Sequence, residues 1–220
     1  MTRCIYIRKR TSLAALTVAV QDSSTSSTTT ILAPASIAAG DLLVLWDYSR
    51  GNPAPTDVVP TNFTRITTNA FTLAGDHRAV ASYKIADGTE DGATITGMAV
   101  GASGGYKAMY QFRASRAITA VSISAAVGQE STTGNPAAQT VSAAGGTPPL
   151  IVFGCYGTSG TVDPRTFTVS GSAAKDGEIT PHVRCYLAYK IYNTSPADVV
   201  VDMDDEGSNG LGSFYLALTG

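Results

Sequence analysis

The chain repeats itself, and this repeat restricts the fold more than any other feature of its sequence. The segment from His77 to Ile85 resembles the segment from His182 to Ile191, and both contain the pattern Arg-x4-Tyr-Lys-Ile. A glycine turn and then an alternating strand follow each copy, as Ala108–Phe112 in one case and Phe214–Leu218 in the other. Alternation between turns is typical of strands, so the repeat predicts a duplicated β-structure.

Weaker matches extend the repeat over nearly the whole chain, as two similar halves at 12–115 and 116–220. The matched pairs are Ala15–Val20 with Ala120–Ala125, Asp41–Trp46 with Pro149–Gly154, and Phe63–Ile66 with Phe167–Val169. The spacing between partners drifts slightly along the chain. Such drift is expected where loops vary in length and strands persist.

The pattern of short alternating runs between Gly, Pro, Asn, Asp and Ser predicts an all-β protein, an antiparallel and jelly-roll-like β-sandwich with almost no helix. Strands are predicted at 14–20, 29–33, 42–48, 62–67, 78–86, 93–98, 107–114, 118–125, 139–143, 150–156, 166–170, 183–192, 198–203 and 213–219. The junction at 112–118 contains no Pro or Gly, which favours one sandwich with a shared core. Two small sandwiches in tandem are the alternative.

Composition supports this class of fold. Of 220 residues, 44% are hydrophobic and only 15% are charged, which argues against a helical bundle and against intrinsic disorder. The net charge of −2 gives no basic field for nucleic-acid binding. No apolar run approaches the roughly 20 residues of a membrane-spanning helix, so no membrane association is expected.

Strand phase predicts which side chains face the core. Tyr83, Ile85, Ala108, Tyr110 and Phe112 share the inward phase. The opposite phase should be solvated, and it holds Arg78, Lys84, Lys107, Gln111 and Arg113. The Ser/Thr run at 23–30 is expected to begin as a loop and to enter the next strand only at its end.

The first eleven residues form a basic arm, for which we expect contacts with neighbouring subunits. The arm and the apolar stretch after it resemble a secretory signal, but Leu16–Val20 has a repeat counterpart and is better explained as a first strand. Interaction residues are predicted at Arg3, Cys4, Arg8, Lys9 and Arg10. Cys4 is a candidate for an interchain disulfide, whereas alternation places Cys155 and Cys185 on the core face.

No motif for catalysis, phosphate binding or structural zinc is apparent, so neither an enzyme nor a bound cofactor is expected. One acidic segment, Asp202 to Gly210, partly imitates a calcium loop through Asp202, Asp204 and Glu206. Ser213 stands where such a loop has its bidentate Glu, so a solvated turn is the favoured interpretation.

Glycan binding would need exposed aromatic side chains near strand ends, and Trp46, Tyr48, Tyr106 and Tyr156 are candidates. Core packing is favoured for Trp46.

Three segments of the first half resemble a pattern found in bacteriophage and prophage virion proteins. They are Gly40–Leu45 (GDLLVL), Pro60–Thr64 (PTNFT) and Ser82–Ala86 (SYKIA) with Gly88–Glu90 (GTE). The virion proteins have a GDLLV strand, a P-x-G-F/W-T turn and a Y-K-x-A…E strand, followed by a weaker copy such as Pro149–Phe153 here. Asn62 replaces the turn glycine of that pattern.

This resemblance implies a non-enzymatic β-sandwich on the exterior of a virion, made in the host cytoplasm. Capsid decoration or a fibre or spike is the favoured role, with capsid or tail subunits as partners and a homo-oligomer as the assembly. The alternative is a tail-associated module that recognises host surface glycans.

Overall fold

The structure is a computed structural model, and it describes residues 15–51, 58–66, 71–73, 77–99, 104–124, 127–131, 139–141, 148–158, 166–169, 173–182, 185–194, 199–204 and 209–220. Within these ranges the protein is all-β with antiparallel sheets, which confirms the predicted class. The described residues include no helix long and apolar enough to cross a membrane.

The described residues of the first half form eight strands. They are β1 (Val18–Ser26), β2 (Ile31–Leu32), β3 (Leu42–Arg50), β4 (Thr64–Arg65), β5 (Phe71–Leu73), β6 (His77–Ile85), β7 (Thr94–Ile95) and β8 (Gly105–Ala114). Six of them form one sheet in the order β1-β8-β3-β6-β4, with β5 also paired to β6. The remaining two, β2 and β7, pair with each other.

In the second half, the part of the chain that the structure describes forms ten strands. They are β9 (Ala120–Ile123), β10 (Val127–Ser131), β11 (Gln139–Val141), β12 (Leu150–Thr158), β13 (Thr166–Val169), β14 (Ala173–Ala174), β15 (Gly177–His182), β16 (Cys185–Tyr192), β17 (Val199–Asp204) and β18 (Asn209–Thr219). One sheet has the order β10-β18-β12-β16-β15, with β9 also on β18, and a four-stranded sheet has the order β11-β17-β13-β14.

The central strands of the two six-stranded sheets follow the repeat. Leu42 in β3 lies opposite Ile85, and Ile151 in β12 lies opposite Ile191, the same position of the repeat. Ile151, and not Leu150, is therefore the counterpart of Leu42. The match of Asp41–Trp46 with Pro149–Gly154 is thus one residue out of register, which matters because one residue moves a side chain to the opposite face.

A single hydrophobic cluster takes side chains from both six-stranded sheets. Its first-half members include Trp46 and Phe112, and its second-half members include Phe153, Tyr189 and Phe214. The rings of Phe112 and Tyr189 meet edge to face with centroids 5.1 Å apart. All five residues of the predicted inward phase belong to this cluster or pack against it, which confirms that assignment.

The outer face of the first sheet is covered too, and the predicted solvation is wrong for Lys84, Lys107 and Gln111. The Arg113 side chain, by contrast, is 37% exposed. Ile31, Ile37 and Met98 form a second hydrophobic cluster with Leu43 and Leu45 on the outer face of β3. Lys107 and Gln111 are fully buried on that face, and the Lys84 side chain is only 14% exposed. Alternation alone cannot show that a second layer lies over the polar phase of a strand.

The Ser/Thr run also differs from expectation. Strand β1 continues through Asp22 to Ser26 and pairs with β8, and its register shifts between Val20 and Asp22. Serine and threonine suit an edge strand because their side chains are polar on the solvated side while the backbone still pairs. The early part of the run, residues 23–26, is therefore a strand where a loop was predicted, whereas residues 27–30 lie between β1 and β2 and do not enter the next strand.

Candidate functional site

The predicted interaction and metal residues lie largely beyond the part of the chain that the structure describes. Arg3, Cys4, Arg8, Lys9, Arg10 and Glu206 fall outside the described residues. Asp202 and Asp204 lie in strand β17, opposite Thr168 and Thr166, and not in a loop. The described residues contain no group of three or more His, Cys, Asp or Glu side chains placed to hold a metal ion. Calcium binding stays a prediction for calorimetry.

The two strand cysteines are not direct partners across their strands. Cys155 lies opposite Leu187, and Cys185 lies opposite Gly157. This register makes the cysteines diagonal neighbours, typically about 7–8 Å apart between Cα atoms. A disulfide needs a shorter separation, so the backbone argues against a bond between them.

The aromatic side chains proposed for glycan binding do not form an exposed set. Trp46 and Tyr48 are fully buried in the shared core, which confirms core packing for Trp46. Tyr106 is half-buried and stacks on Tyr48 with ring centroids 6.2 Å apart. The Tyr156 side chain lies outside the part of the protein that the structure describes.

Asp41, the aspartate of the GDLLV segment, is buried and accepts hydrogen bonds from several directions. Its donors are Arg113 Nε at 2.9 Å, Arg113 Nη2 at 2.7 Å, Gln111 Nε2 at 2.8 Å and the backbone N of Ala38 at 2.8 Å. Burial acts to raise the pKa of Asp41, but these donors outweigh burial and lower it. The carboxylate therefore fastens the start of β3 to β8 and to the preceding turn.

The turn before β4 explains the exchange of glycine for asparagine. Asn62 has a φ of 67°, in the left-handed region that glycine adopts freely and that asparagine tolerates better than most residues. The backbone N of Phe63 donates to Pro60 O at 3.1 Å and closes the turn. Asn62 thus preserves the backbone conformation that the glycine of the virion pattern would provide.

Lys84 and Glu90, the lysine and glutamate of the third segment, form an ion pair. The two side chains are only 14% and 4% exposed. Burial acts to lower the pKa of Lys84, but Glu90 and then Asp87 reverse this effect and raise it. Glu90 Oε2 also accepts from the backbone N of Gly88 at 3.2 Å, so the pair holds the turn after β6.

The three segments that carry the resemblance meet in space. The backbone N of Gly40 donates to Ala86 O, and the backbone N of Ala86 donates to Asp41 O, both at 2.8 Å. The first and third segments are therefore joined through the backbone. The second and third segments share one surface groove of about 220 Å³, whose walls include Phe63 and Lys84.

We call this feature the threonine groove, because threonine is its commonest lining residue. Its lining residues are Thr61, Asn62, Phe63, Lys84, Thr89, Glu90, Ala93, Thr94, Ile95 and Thr96. The sequence pointed to Asn62, Phe63, Lys84 and Glu90 only as structural motif residues. Their convergence depends on how β4, β6 and β7 are arranged, which no local pattern reveals.

A second buried polar cluster consists of residues outside the three motif segments. Lys107 and Asp47 lie directly opposite each other on β8 and β3 and form a buried ion pair. Lys107 Nζ also donates to Ala99 O at 2.5 Å, and the backbone N of Ala99 donates to Asp47 Oδ2 at 3.2 Å. Burial raises the pKa of Asp47, and Lys107 opposes that rise. The cluster ties the segment at Ala99 to the outer face of the sheet.

No protein-family model, curated protein or solved structure matches this chain.

Proposed function

We propose that the chain is a non-enzymatic structural component on the exterior of a bacteriophage virion, of the capsid decoration or fibre and spike kind. Its partners are then capsid or tail subunits and further copies of itself. The proposal begins from the resemblance of the GDLLV, PTNFT and SYKIA…GTE segments to virion proteins. It therefore concerns where the protein works and what it contacts, and not a reaction.

The single observation that supports this function best is what the motif side chains do. The carboxylate of Asp41 accepts hydrogen bonds from Arg113, Gln111 and the backbone N of Ala38. Lys84 and Glu90 pair with each other at low exposure. Charged side chains paired in this way hold turns and strand ends in place, because removing either partner would leave a buried charge unpaired. The shared motifs thus have an architectural role, which suits a module repeated on a particle.

The decisive experiment is mass spectrometry of purified particles, followed by cryo-EM localisation of the chain. We expect the chain in a fixed copy number per particle, at an exterior position on the shell or tail. An abundant host protein in the same preparation is the control for carry-over. Absence of the chain from purified particles would contradict the proposal.

The basic arm supplies a test of the partner assignment. We propose that Arg3, Arg8, Lys9 and Arg10 contact neighbouring subunits, and that Cys4 forms an interchain disulfide. Deletion of residues 1–11 should then lower incorporation into particles without changing the melting temperature. A non-reducing gel of Cys4→Ser beside Cys155→Ser should show loss of the dimer band only in the first variant. A parent protein that runs only as a monomer would contradict the disulfide.

The threonine groove favours a second candidate function, recognition of host surface glycans by a tail-associated module. It combines an aromatic side chain with several neutral hydrogen-bonding groups on the described surface. A distal tail position in cryo-EM would favour this role, and a many-copy position on the shell would favour decoration.

A further inference from the structure

We propose that the threonine groove binds one neutral sugar ring, with Phe63 and Ile95 beneath the ring and threonine hydroxyls around it. This inference rests on the second candidate function and names its site and ligand class. It moves the glycan site away from Trp46 and Tyr48, which are buried, to residues that the sequence indicated only as a turn and a strand end.

The apolar residues in the groove lining are firmly supported from behind. Phe63 and Ile95 are half-buried and line the groove while packing against the second hydrophobic cluster, which contains Leu43 and Leu45. Side chains supported from behind in this way lose little conformational entropy when a ligand binds in front of them. An apolar floor suits the C–H face of a sugar ring, which polar walls alone would not accommodate.

The rim supplies neutral hydrogen-bonding groups. Thr61, Asn62, Thr94 and Thr96 belong to the groove lining and are exposed residues. A threonine hydroxyl can both donate and accept, and an asparagine amide offers both functions at fixed positions. Sugar hydroxyls need this mixture of donors and acceptors. Thr89 is already a donor to Asp87 Oδ1 at 2.6 Å, so it offers only acceptor capacity to a ligand.

Charge in the groove favours an uncharged ligand. Lys84 contributes the positive charge of the lining, and Glu90 neutralises it within the same ion pair. An acidic sugar would have to compete with Glu90 for Lys84 and would leave a buried carboxylate unpaired, which is costly. Neutral hexoses and N-acetylhexosamines meet no such penalty.

Size restricts the ligand further. The groove encloses about 220 Å³, below the roughly 300–1,000 Å³ of pockets that take drug-sized ligands. One ring is therefore the binding unit, and single-site affinity is low. Several copies on one particle would raise the effective affinity through multivalent attachment.

The experiment is a glycan array probed with the purified full chain on multivalent beads. Sugars that bind on the array are then titrated in solution by NMR. The groove variants are Phe63→Ala and the double variant Thr94→Val with Thr96→Val, which removes two hydroxyls at nearly constant volume. The matched control is Thr25→Val, because Thr25 is an exposed strand threonine outside the groove. Melting temperatures establish that each variant is folded.

We expect neutral glycans to bind. Affinity should fall roughly tenfold or more in the double threonine variant, while Thr25→Val should bind as the parent protein does. Because Phe63→Ala also removes core contacts, the threonine variant is the deciding one. Binding that survives the double threonine variant, or that is confined to acidic glycans, overturns the groove proposal and leaves glycan recognition standing. Failure to bind any glycan overturns the groove and the second candidate function together, without affecting the virion proposal.

Discussion

Gly40 occupies a backbone position that excludes a side chain for two separate reasons. Its φ is 87°, and a Cβ atom there would lie 2.5 Å from Ala117 Cβ. Gly92 has a similar φ of 62°, but a Cβ atom there would have open space around it, with no contact within 4 Å among the described residues beyond its chain neighbours. A substitution at Gly92 therefore tests backbone strain alone, whereas one at Gly40 tests backbone strain together with the steric clash.

The alanine variants of these glycines should differ measurably in stability. Gly92→Ala should lower the free energy of unfolding by about 1–2 kcal/mol, the usual cost of a left-handed alanine. Gly40→Ala should lower it by a further 1–3 kcal/mol or so, because the added methyl group overpacks the contact with Ala117. Urea unfolding of the two variants beside the parent measures both values. Equal losses would contradict the close approach of Ala117.

Asp41 predicts how stability responds to acid. Its pKa lies below the usual 3.8 in the folded protein, so the unfolded chain binds this proton more readily. Asp41 therefore adds stability above its unfolded pKa, and that stability is lost as the pH falls through its folded pKa. Asp41→Asn should be less stable near neutral pH and should decline less steeply between about pH 5 and pH 2. Urea unfolding of both proteins over this pH range tests the prediction. Stability that declines with pH at the same rate in the two proteins would contradict it.

At the scale of elements, the informative feature is that β3 and β8 are buried on both faces. Asp47 and Lys107 lie on the covered face, where an unpaired charge has no access to water. Lys107→Met should lower the free energy of unfolding by about 3–5 kcal/mol, because it leaves the carboxylate of Asp47 buried without its cation. Replacing both residues, as Asp47→Leu with Lys107→Met, should recover most of the loss. Chemical unfolding of both variants decides, and equal losses would contradict the ion pair.

The same strands show how far the sequence predicts the fold. Periodicity located β3, β6, β8, β12 and β16 because each is long and has an apolar inward phase. It missed β5, β10, β14 and β15, since strands at sheet edges need little apolar alternation to pair. It also misjudged Lys107 and Gln111. Burial of a polar phase depends on a distant segment lying over the strand, and local pattern contains no record of that.

The candidate site was predictable only in pieces. Asn62, Lys84 and Glu90 could be singled out because each belongs to a short pattern with a physical meaning. Their meeting at one groove with Thr94 and Ile95 could not, since it depends on a two-stranded ladder between β2 and β7. The repeated lysine makes the same point. Lys84 pairs with Glu90 downstream of its strand, whereas Lys190 pairs at 2.8 Å with Asp176 upstream of its strand.

At the scale of the whole molecule, the two halves bury their apolar faces against each other. Tyr110 Oη donates to Leu187 O at 3.3 Å across the halves, and Phe112 packs on Phe153 with ring centroids 5.8 Å apart. A half that unfolded alone would expose the other half's core to water. The free energies of the two halves are therefore coupled, and unfolding should be a single cooperative transition.

The single tryptophan allows this coupling to be tested directly. Trp46 lies in the first half, and Phe153 lies in the second half within the same core cluster. Phe153→Ala should lower the free energy of unfolding by about 3–5 kcal/mol, because it opens a cavity in a fully buried site. Since the core is shared, the loss should appear equally in Trp46 fluorescence and in far-UV circular dichroism. Val20→Ala, at an exposed site on the edge strand, is the control and should change stability by less than about 0.5 kcal/mol. A Trp46 transition that stays at the parent's midpoint while circular dichroism shifts would mean two tandem sandwiches with separate cores.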